Sequence, residues 1–168
     1  EWGWVVVGDS TDNVHGPQAA VIIDLGGDDT YLDAGSARGL WVAVDADGDD
    51  RWIGHRPGSV GGSIGGIGLL FDQAGDDEYV GDRLTQGSAF AGVGLLYDRA
   101  GDDSYQAQDT AQGAAFYGLG CLFDVEGDDL FSLGQLGQGL GGARGVGLLR
   151  DDAGRDRYVA DFKAPSSY

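Results

Sequence analysis

Aspartate is the residue type in this chain whose number and spacing could support chemistry. The pattern Asp-x-x-Gly-Asp-Asp-x-aromatic recurs along the sequence, and aligning its copies produces three aspartate columns. The first column is Asp24, Asp45, Asp72, Asp98, Asp124 and Asp151. The second column is Asp28, Asp49, Asp76, Asp102 and Asp128. The third column is Asp29, Asp50, Asp77, Asp103, Asp129 and Asp156.

The recurrence of three column carboxylates in five of the six copies predicts a cation site. One Asp beside a Gly suits a tight turn, because its side chain can accept a downstream backbone N–H. A turn does not need three, and like charges stacked at strand spacing repel by ~1 kcal/mol per neighbour in water and ~4 kcal/mol at an effective dielectric of 20. A cation between copies would turn this repulsion into binding energy. The sequence leaves two interpretations open, a shared cation or turn aspartates without one.

The ligand chemistry favours Ca²⁺. The columns offer hard carboxylate oxygens, whereas Zn²⁺ and Cu²⁺ sites draw on Cys or His, which the pattern lacks. Mg²⁺ fits less well because it demands near-ideal octahedral geometry. Arg155 occupies the second column in the last copy. Its guanidinium could replace an ion that has no following copy to share it, and an ordinary surface substitution is an equally simple explanation.

The elements that must position these carboxylates are short strands. The copies begin 21, 27, 26, 26 and 27 residues apart, and a fixed period of this size is the signature of a repeat architecture. Each copy contains an apolar run, the Asp turn and a second short strand at the aromatic, and in the later copies an extended piece carries a Gln-Gly pair. We therefore predict an all-β fold, a parallel β-solenoid (β-helix) of about six coils with a ~26-residue repeat, in which like residues stack ~4.8 Å apart.

The chain is divided into three parts on this basis. Residues 1–19 are expected to form an N-terminal cap or degenerate coil, because terminal repeats of solenoids are usually atypical. Residues 20–162 hold the solenoid repeats, and residues 163–168 look like a loose tail.

Two neighbouring aliphatic columns raise the question of assembly. Leu69, Leu95, Cys121 and Leu148 form one column, and Leu70, Leu96, Leu122 and Leu149 form the next. Adjacent residues of a strand point to opposite faces, so only one column can face the interior. The other must be covered by a loop of this chain or by another subunit. The aromatic column is expected to stack on itself: Tyr31, Trp52, Tyr79, Tyr105, Phe131 and Tyr158.

Catalysis is not predicted. A catalytic site should interrupt the repeat, and here the carboxylates are the repeat. His15 and His55 lie outside the pattern. His55, near Arg51, Trp52 and Arg56, is the one local cluster that could bind an anionic sugar, although a solvated loop explains it as well. Cys121 is interpreted as a buried structural thiol, and a single cysteine cannot form an internal disulfide.

At Gly26-Gly27-Asp28-Asp29-Thr30-Tyr31 the chain resembles the RTX class of secreted bacterial calcium-binding Gly/Asp-rich repeats. This resemblance implies a calcium-loaded parallel β-solenoid outside the cell. The spacing departs from that class, since RTX repeats follow one another every nine residues and the Asp turn occurs here once per ~26.

Composition narrows the function classes. The formal net charge of −18 argues against nucleic acid, which requires basic patches, and no apolar run approaches the ~20 residues of a membrane-spanning helix. We expect an extracellular calcium-binding structural or adhesive β-solenoid, secreted or at the cell surface, that self-associates end-to-end or sheet-to-sheet as a filament or surface-layer subunit. A cell-surface polysaccharide is considered as a further partner. The alternative is a β-helix enzyme active on polysaccharides or a carbohydrate-binding module.

Overall fold

The computed structural model of the chain describes residues 3–35 and 38–160. Within these ranges the regular structure consists of seventeen strands, which pair in parallel. The predicted all-β parallel solenoid is therefore confirmed. The described residues contain no helix long and apolar enough to cross a membrane.

The strands, numbered in chain order, form three sheets. Sheet A comprises β1 (Trp4–Val7), β3 (Ala19–Ile23), β5 (Leu40–Val44), β8 (Ile67–Phe71), β11 (Val93–Tyr97), β14 (Leu119–Asp124) and β16 (Val146–Asp151). Sheet B comprises β2 (Val14–His15), β4 (Thr30–Leu32), β6 (Arg51–Gly54), β9 (Glu78–Arg83), β12 (Ser104–Asp109), β15 (Leu130–Gln135) and β17 (Arg157–Ala160). The short sheet C comprises β7 (Ser63–Ile64), β10 (Ala89–Phe90) and β13 (Ala115–Phe116).

Each coil runs from sheet A, round an aspartate corner, to sheet B. The middle coils then pass through sheet C, which contains Ala89 and Ala115, each two residues after the glycine of a Gln-Gly pair, and return to sheet A. Partners in the ladders are the residues that the repeat aligns, as in Leu95 beside Leu69 and Cys121. The corners are therefore in register along the solenoid.

The strands of residues 4–15 complete a further coil. β1 pairs with β3 and β2 pairs with β4, so the segment before the first aspartate copy contributes to both large sheets. The expected tail at 163–168 lies outside the described residues.

Two columns form much of the main core cluster. Leu70, Leu96 and Leu122 point inward from sheet A and are fully buried. Of the two aliphatic columns, this one therefore faces the interior and the other faces outward. The predicted aromatic stack faces the inward leucines from sheet B. Tyr79 and Tyr105 have ring centroids 4.7 Å apart and planes 2° apart, and Tyr105 and Phe131 repeat this arrangement at 4.6 Å. These distances match the strand spacing, so the stack continues from coil to coil.

The glycine before each Asp pair allows consecutive corners to touch. Gly75 has φ +143°, and a Cβ there would lie 1.7 Å from the carbonyl oxygen of Gly48. Gly101 has φ +155°, and its Cβ would lie 1.7 Å from the carbonyl oxygen of Gly75. Any larger residue would force the coils apart at the corner, so the repeated glycine keeps the aspartates close.

Candidate metal centres at the aspartate corners

The first-column aspartates are fixed where the strands of sheet A end. Oδ1 of Asp45 accepts a hydrogen bond from the backbone N–H of Asp47 at 3.1 Å, and Oδ1 of Asp98 accepts one from Ala100 at 3.1 Å. These are Asx turns, the local structure expected of Asp at a corner. In the interior, the Trp52 indole N–H donates to Asp72 Oδ2 at 3.0 Å.

The third-column aspartates link each coil to the next. The backbone N–H of Asp50 donates to Asp77 Oδ1 at 2.7 Å. The N–H of Asp77 in turn donates to Asp103 Oδ1 at 2.8 Å, and that of Asp103 to Asp129 Oδ1 at 2.8 Å. The first and third columns are buried from Asp24 to Asp129.

The second-column aspartates form a similar row of hydrogen bonds on the surface, but these bonds run in the opposite direction along the chain. Asp76 Oδ1 accepts from the backbone N–H of Asp102 at 2.9 Å, and Asp102 Oδ1 accepts from Asp128 at 2.8 Å. In this row the acceptor precedes the donor in the chain. The carboxylates are exposed, so water can solvate them without a cation.

Consecutive coils bring three carboxyl groups together in the interior. A first-column residue and the third-column residues on either side of it have oxygens within 4.8 Å of one another. The all-aspartate groups include Asp29, Asp45 and Asp50; Asp50, Asp72 and Asp77; Asp77, Asp98 and Asp103; and Asp103, Asp124 and Asp129. Each third-column aspartate in the middle of the chain thus belongs to two groups.

Tyrosine hydroxyls lie at the centre of some of these groups. The Tyr79 hydroxyl is 3.2 Å from Asp72 Oδ2 and 3.3 Å from Asp77 Oδ2, and it is closer still to Asp98. A hydroxyl has one proton to donate. Only one of these contacts can be a hydrogen bond to a carboxylate unless another carboxyl is protonated.

Several buried carboxylate oxygens have no hydrogen-bond partner among the described residues. They are Asp50 Oδ2, Asp72 Oδ1, Asp124 Oδ1 and Asp129 Oδ2, on residues that are at most 2% exposed. An unpaired buried charge costs several kcal/mol even after relaxation. These oxygens are therefore available for a further ligand.

Burial raises the pKa of the interior carboxyls far above the ordinary Asp value of 3.8. It raises the pKa of Asp72 to about 8, with the neighbouring charges of Asp98 and Asp45 adding to the effect. The pKa of Asp77 rises to about 11 and that of Asp103 to about 10, again mainly because burial disfavours the charged form. At neutral pH the groups must hold either protons or a cation to be stable.

The sequence placed all three columns at one cation site, and the structure separates them. The first and third columns meet inside, while the second column lies on the surface. Arg155 also belongs to the surface row, since its Nη2 lies 2.7 Å from Asp128 Oδ2. This exposed pair lowers the pKa of Asp128 through hydrogen bonds and charge.

His15 is a site residue that the sequence interpretation missed. Its ring stacks on Tyr31 at the start of the aromatic column, with centroids 4.8 Å apart, and its Nε2 lies 2.5 Å from Asp24 Oδ2. Asp29 completes this group of three buried side chains. The order Asp12-Asn13-Val14-His15 matches Asp28-Asp29-Thr30-Tyr31, a signal that could have identified the first coil.

The residues of the all-aspartate groups fit a hard cation. Their donors are oxygens alone, which suits Ca²⁺ better than softer metals, whereas His15 adds a nitrogen donor to the first group. Comparison of the chain with models of protein families, with curated proteins and with solved structures finds no match. The geometry and the repeat chemistry must therefore support any functional assignment.

Proposed function

We propose that this protein is a structural β-solenoid whose interior aspartate groups bind Ca²⁺ between consecutive coils. The observation that carries the proposal is the meeting of three buried carboxyls within 4.8 Å, with unpartnered oxygens on residues such as Asp50 and Asp72. One divalent ion per group would coordinate these oxygens and cancel the repulsion. The ligand set is the first and third columns.

Calcium is favoured because the all-aspartate groups supply carboxyl oxygens alone. Ca²⁺ accepts six to eight oxygen ligands at 2.3–2.6 Å in variable geometry, whereas Mg²⁺ keeps a strict octahedron and several waters. The tyrosine hydroxyls are further oxygen donors in the same interior. The cation chemistry is thus similar to that of the RTX class, although the repeat is longer.

A scaffold role agrees with the repetition of the site. Equivalent groups occur at several levels of the solenoid, as expected if they stabilise the stack and not expected of one reaction centre. We propose a secreted or cell-surface location and a structural or adhesive role. Extracellular calcium modules typically have dissociation constants of about 10⁻⁴–10⁻³ M, and an ion of that affinity would order the protein only after export.

The proposal is tested by melting the protein in saturating Ca²⁺ and in chelator. A ligand at 100 times its dissociation constant stabilises the native state by about 2.7 kcal/mol per site, and each kcal/mol raises the Tm of a chain of this size by about 2–4 °C. We expect a rise of at least about 5–10 °C. Mg²⁺ at the same concentration should give a smaller rise.

Terbium luminescence provides a second measurement. Tb³⁺ replaces Ca²⁺ at oxygen sites. The Trp52 indole N–H donates to Asp72 Oδ2, and the Tyr79 hydroxyl lies 3.2 Å from the same oxygen, so excitation of these rings should sensitise a bound Tb³⁺. Added Ca²⁺ should displace the signal. An unchanged Tm together with no sensitised emission would refute calcium binding and leave the carboxyls protonated.

A further inference from the structure

The outward side of sheet A forms a second feature that the corner groups do not explain. The middle outward row consists of Val5, Val21, Val42, Leu69, Leu95, Cys121 and Leu148. On β5, β8, β11 and β14 every outward residue is aliphatic, aromatic or cysteine and none is charged. We call this outward side of sheet A the apolar face.

The apolar face is accessible at its margin. Leu40 is 58% exposed, Ile67 42% and Leu119 40%, while Leu69 and Leu95 are half-buried between their neighbours. Phe90 in sheet C and Tyr117 just after it are 43% and 53% exposed, with ring centroids 6.0 Å apart. Isolated exposed apolar residues are ordinary, but a continuous apolar patch of this extent marks an interaction surface.

Sheet B of the same molecule provides the contrast. It has the same number of strands, but its outward side carries polar pairs, with Arg51 Nε 2.7 Å from Glu78 Oε2 and Gln108 Nε2 donating to Asp82 Oδ1 at 2.7 Å. A solvent-facing sheet of this solenoid can therefore be polar. The apolar character of sheet A is a property of that face and not of the coil geometry.

We infer that the apolar face pairs with the apolar face of a second copy of this chain, giving a face-to-face dimer. Seven strands at ~4.8 Å and three outward rows make a face of roughly 600 Å², so two copies would bury roughly 1,200 Å², the lower end of specific interfaces. The rows of both copies have the same spacing, so side chains can interdigitate along the whole face as in sheets packed ~10 Å apart.

Charge argues against anionic lipid and acidic polymers as partners of this face. The chain has a net charge of −18, which repels anionic lipid and acidic polymers. Face-to-face pairing about a twofold axis keeps the aspartate corners at the edges of the interface, where salt can screen them. The pairing needs no cation, so it goes beyond the proposed calcium role and can hold or fail independently of it.

Sedimentation velocity of the wild-type chain over a range of concentrations tests the inference. We expect a dimer that forms at micromolar concentration and tightens with added salt. Leu95→Lys puts a charge at the centre of the face and should weaken dimerisation at least tenfold. Val80→Lys, an equivalent change on the outward side of sheet B, should leave it unchanged. Circular dichroism and Tm measure whether each variant folds.

The outcomes are separable. A wild-type chain that stays monomeric at high concentration overturns the inference without any variant. Association that survives Leu95→Lys in a folded chain also overturns it, because the contact then lies elsewhere. A monomer that cosediments with phosphatidylcholine vesicles through Leu95 makes the face a lipid surface and overturns it too. A dimer that persists in chelator supports it even if the calcium proposal fails.

Discussion

The hydroxyl of Tyr79 lies 2.5 Å from Oδ2 of Asp98, and this hydrogen bond joins two consecutive coils inside the solenoid. The Tyr105 hydroxyl repeats it with Asp124 Oδ2 at 2.6 Å. The aromatic column therefore does more than stack, because its hydroxyls provide protons to carboxylates that are remote from water. The same tyrosine side chains therefore pack in the core with their rings and stabilise the corner carboxylates with their hydroxyls.

Tyr79→Phe should reveal the contribution of this hydroxyl. Phe131 occupies the same column and stacks on Tyr105, so a phenyl ring fits and the stack should be preserved. The variant leaves Asp98 without its closest donor, and we expect the free energy of unfolding in chelator to fall by about 1–3 kcal/mol. Urea denaturation measures this. A loss under about 0.5 kcal/mol would mean that the hydroxyl is dispensable.

Asp77→Asn tests whether the interior column supplies the Ca²⁺ ligands. Asn keeps an oxygen that can accept the Asp50 N–H but removes the charge, so the Tm in chelator should equal or exceed that of the wild type. The Ca²⁺-induced rise in Tm should shrink, because Asp77 belongs to two groups.

Asp76→Asn is the matched control, since it changes the exposed neighbour that accepts the Asp102 N–H. It should retain the full Ca²⁺-induced rise. An equal loss of that rise in both variants, or no loss in Asp77→Asn, would contradict the assignment of the ligands to the interior columns.

The stability of the cation-free protein should depend on pH in the direction opposite to an ordinary paired carboxylate. The folded pKa values of Asp50, Asp72 and Asp77 are raised to about 9, 8 and 11 from 3.8. The folded state therefore binds more protons than the unfolded state above pH 4. Stability is fully present below that pH and declines as pH rises through the neutral range.

Melting in chelator from pH 4 to pH 9 measures this decline. Ca²⁺ should flatten it, because the ion replaces the protons, and binding should release protons that calorimetry detects in buffers of different ionisation enthalpy. Stability that rises over this range in chelator would show that the interior carboxyls are ionised without a cation.

Gly75→Ala tests the contact between corners. A Cβ at this position would lie 1.7 Å from the Gly48 carbonyl oxygen, whereas a Cβ at Gly65, which also has positive φ, would meet no atom within 4 Å. Gly65→Ala should cost about 1–2 kcal/mol from backbone strain alone. Gly75→Ala should cost substantially more, measured by denaturation, and similar losses in the two variants would mean that the corner can relax.

The sequence predicts the repeat, its register and the aromatic stack, because the period places equivalent residues beside one another. It does not predict which aspartate column is buried. Asp28 and Asp29 are adjacent and chemically identical, and only the direction of the chain after the corner exposes one and buries the other. It also leaves Leu69 and Leu70 equivalent, since both neighbours of an alternating strand are aliphatic.

The two rows of hydrogen bonds at the corner have a consequence for the length of the protein. In one row the donor precedes the acceptor in the chain, and in the other row it follows it. Each middle corner therefore offers one donor and one acceptor to the coil before it, and one of each to the coil after it. Removal of one whole repeat, such as residues 73–98, would leave Asp72 followed by Arg99, Ala100, Gly101, Asp102 and Asp103, an intact motif. Gene duplication or deletion in units of a repeat can therefore lengthen or shorten this solenoid without requiring a new junction.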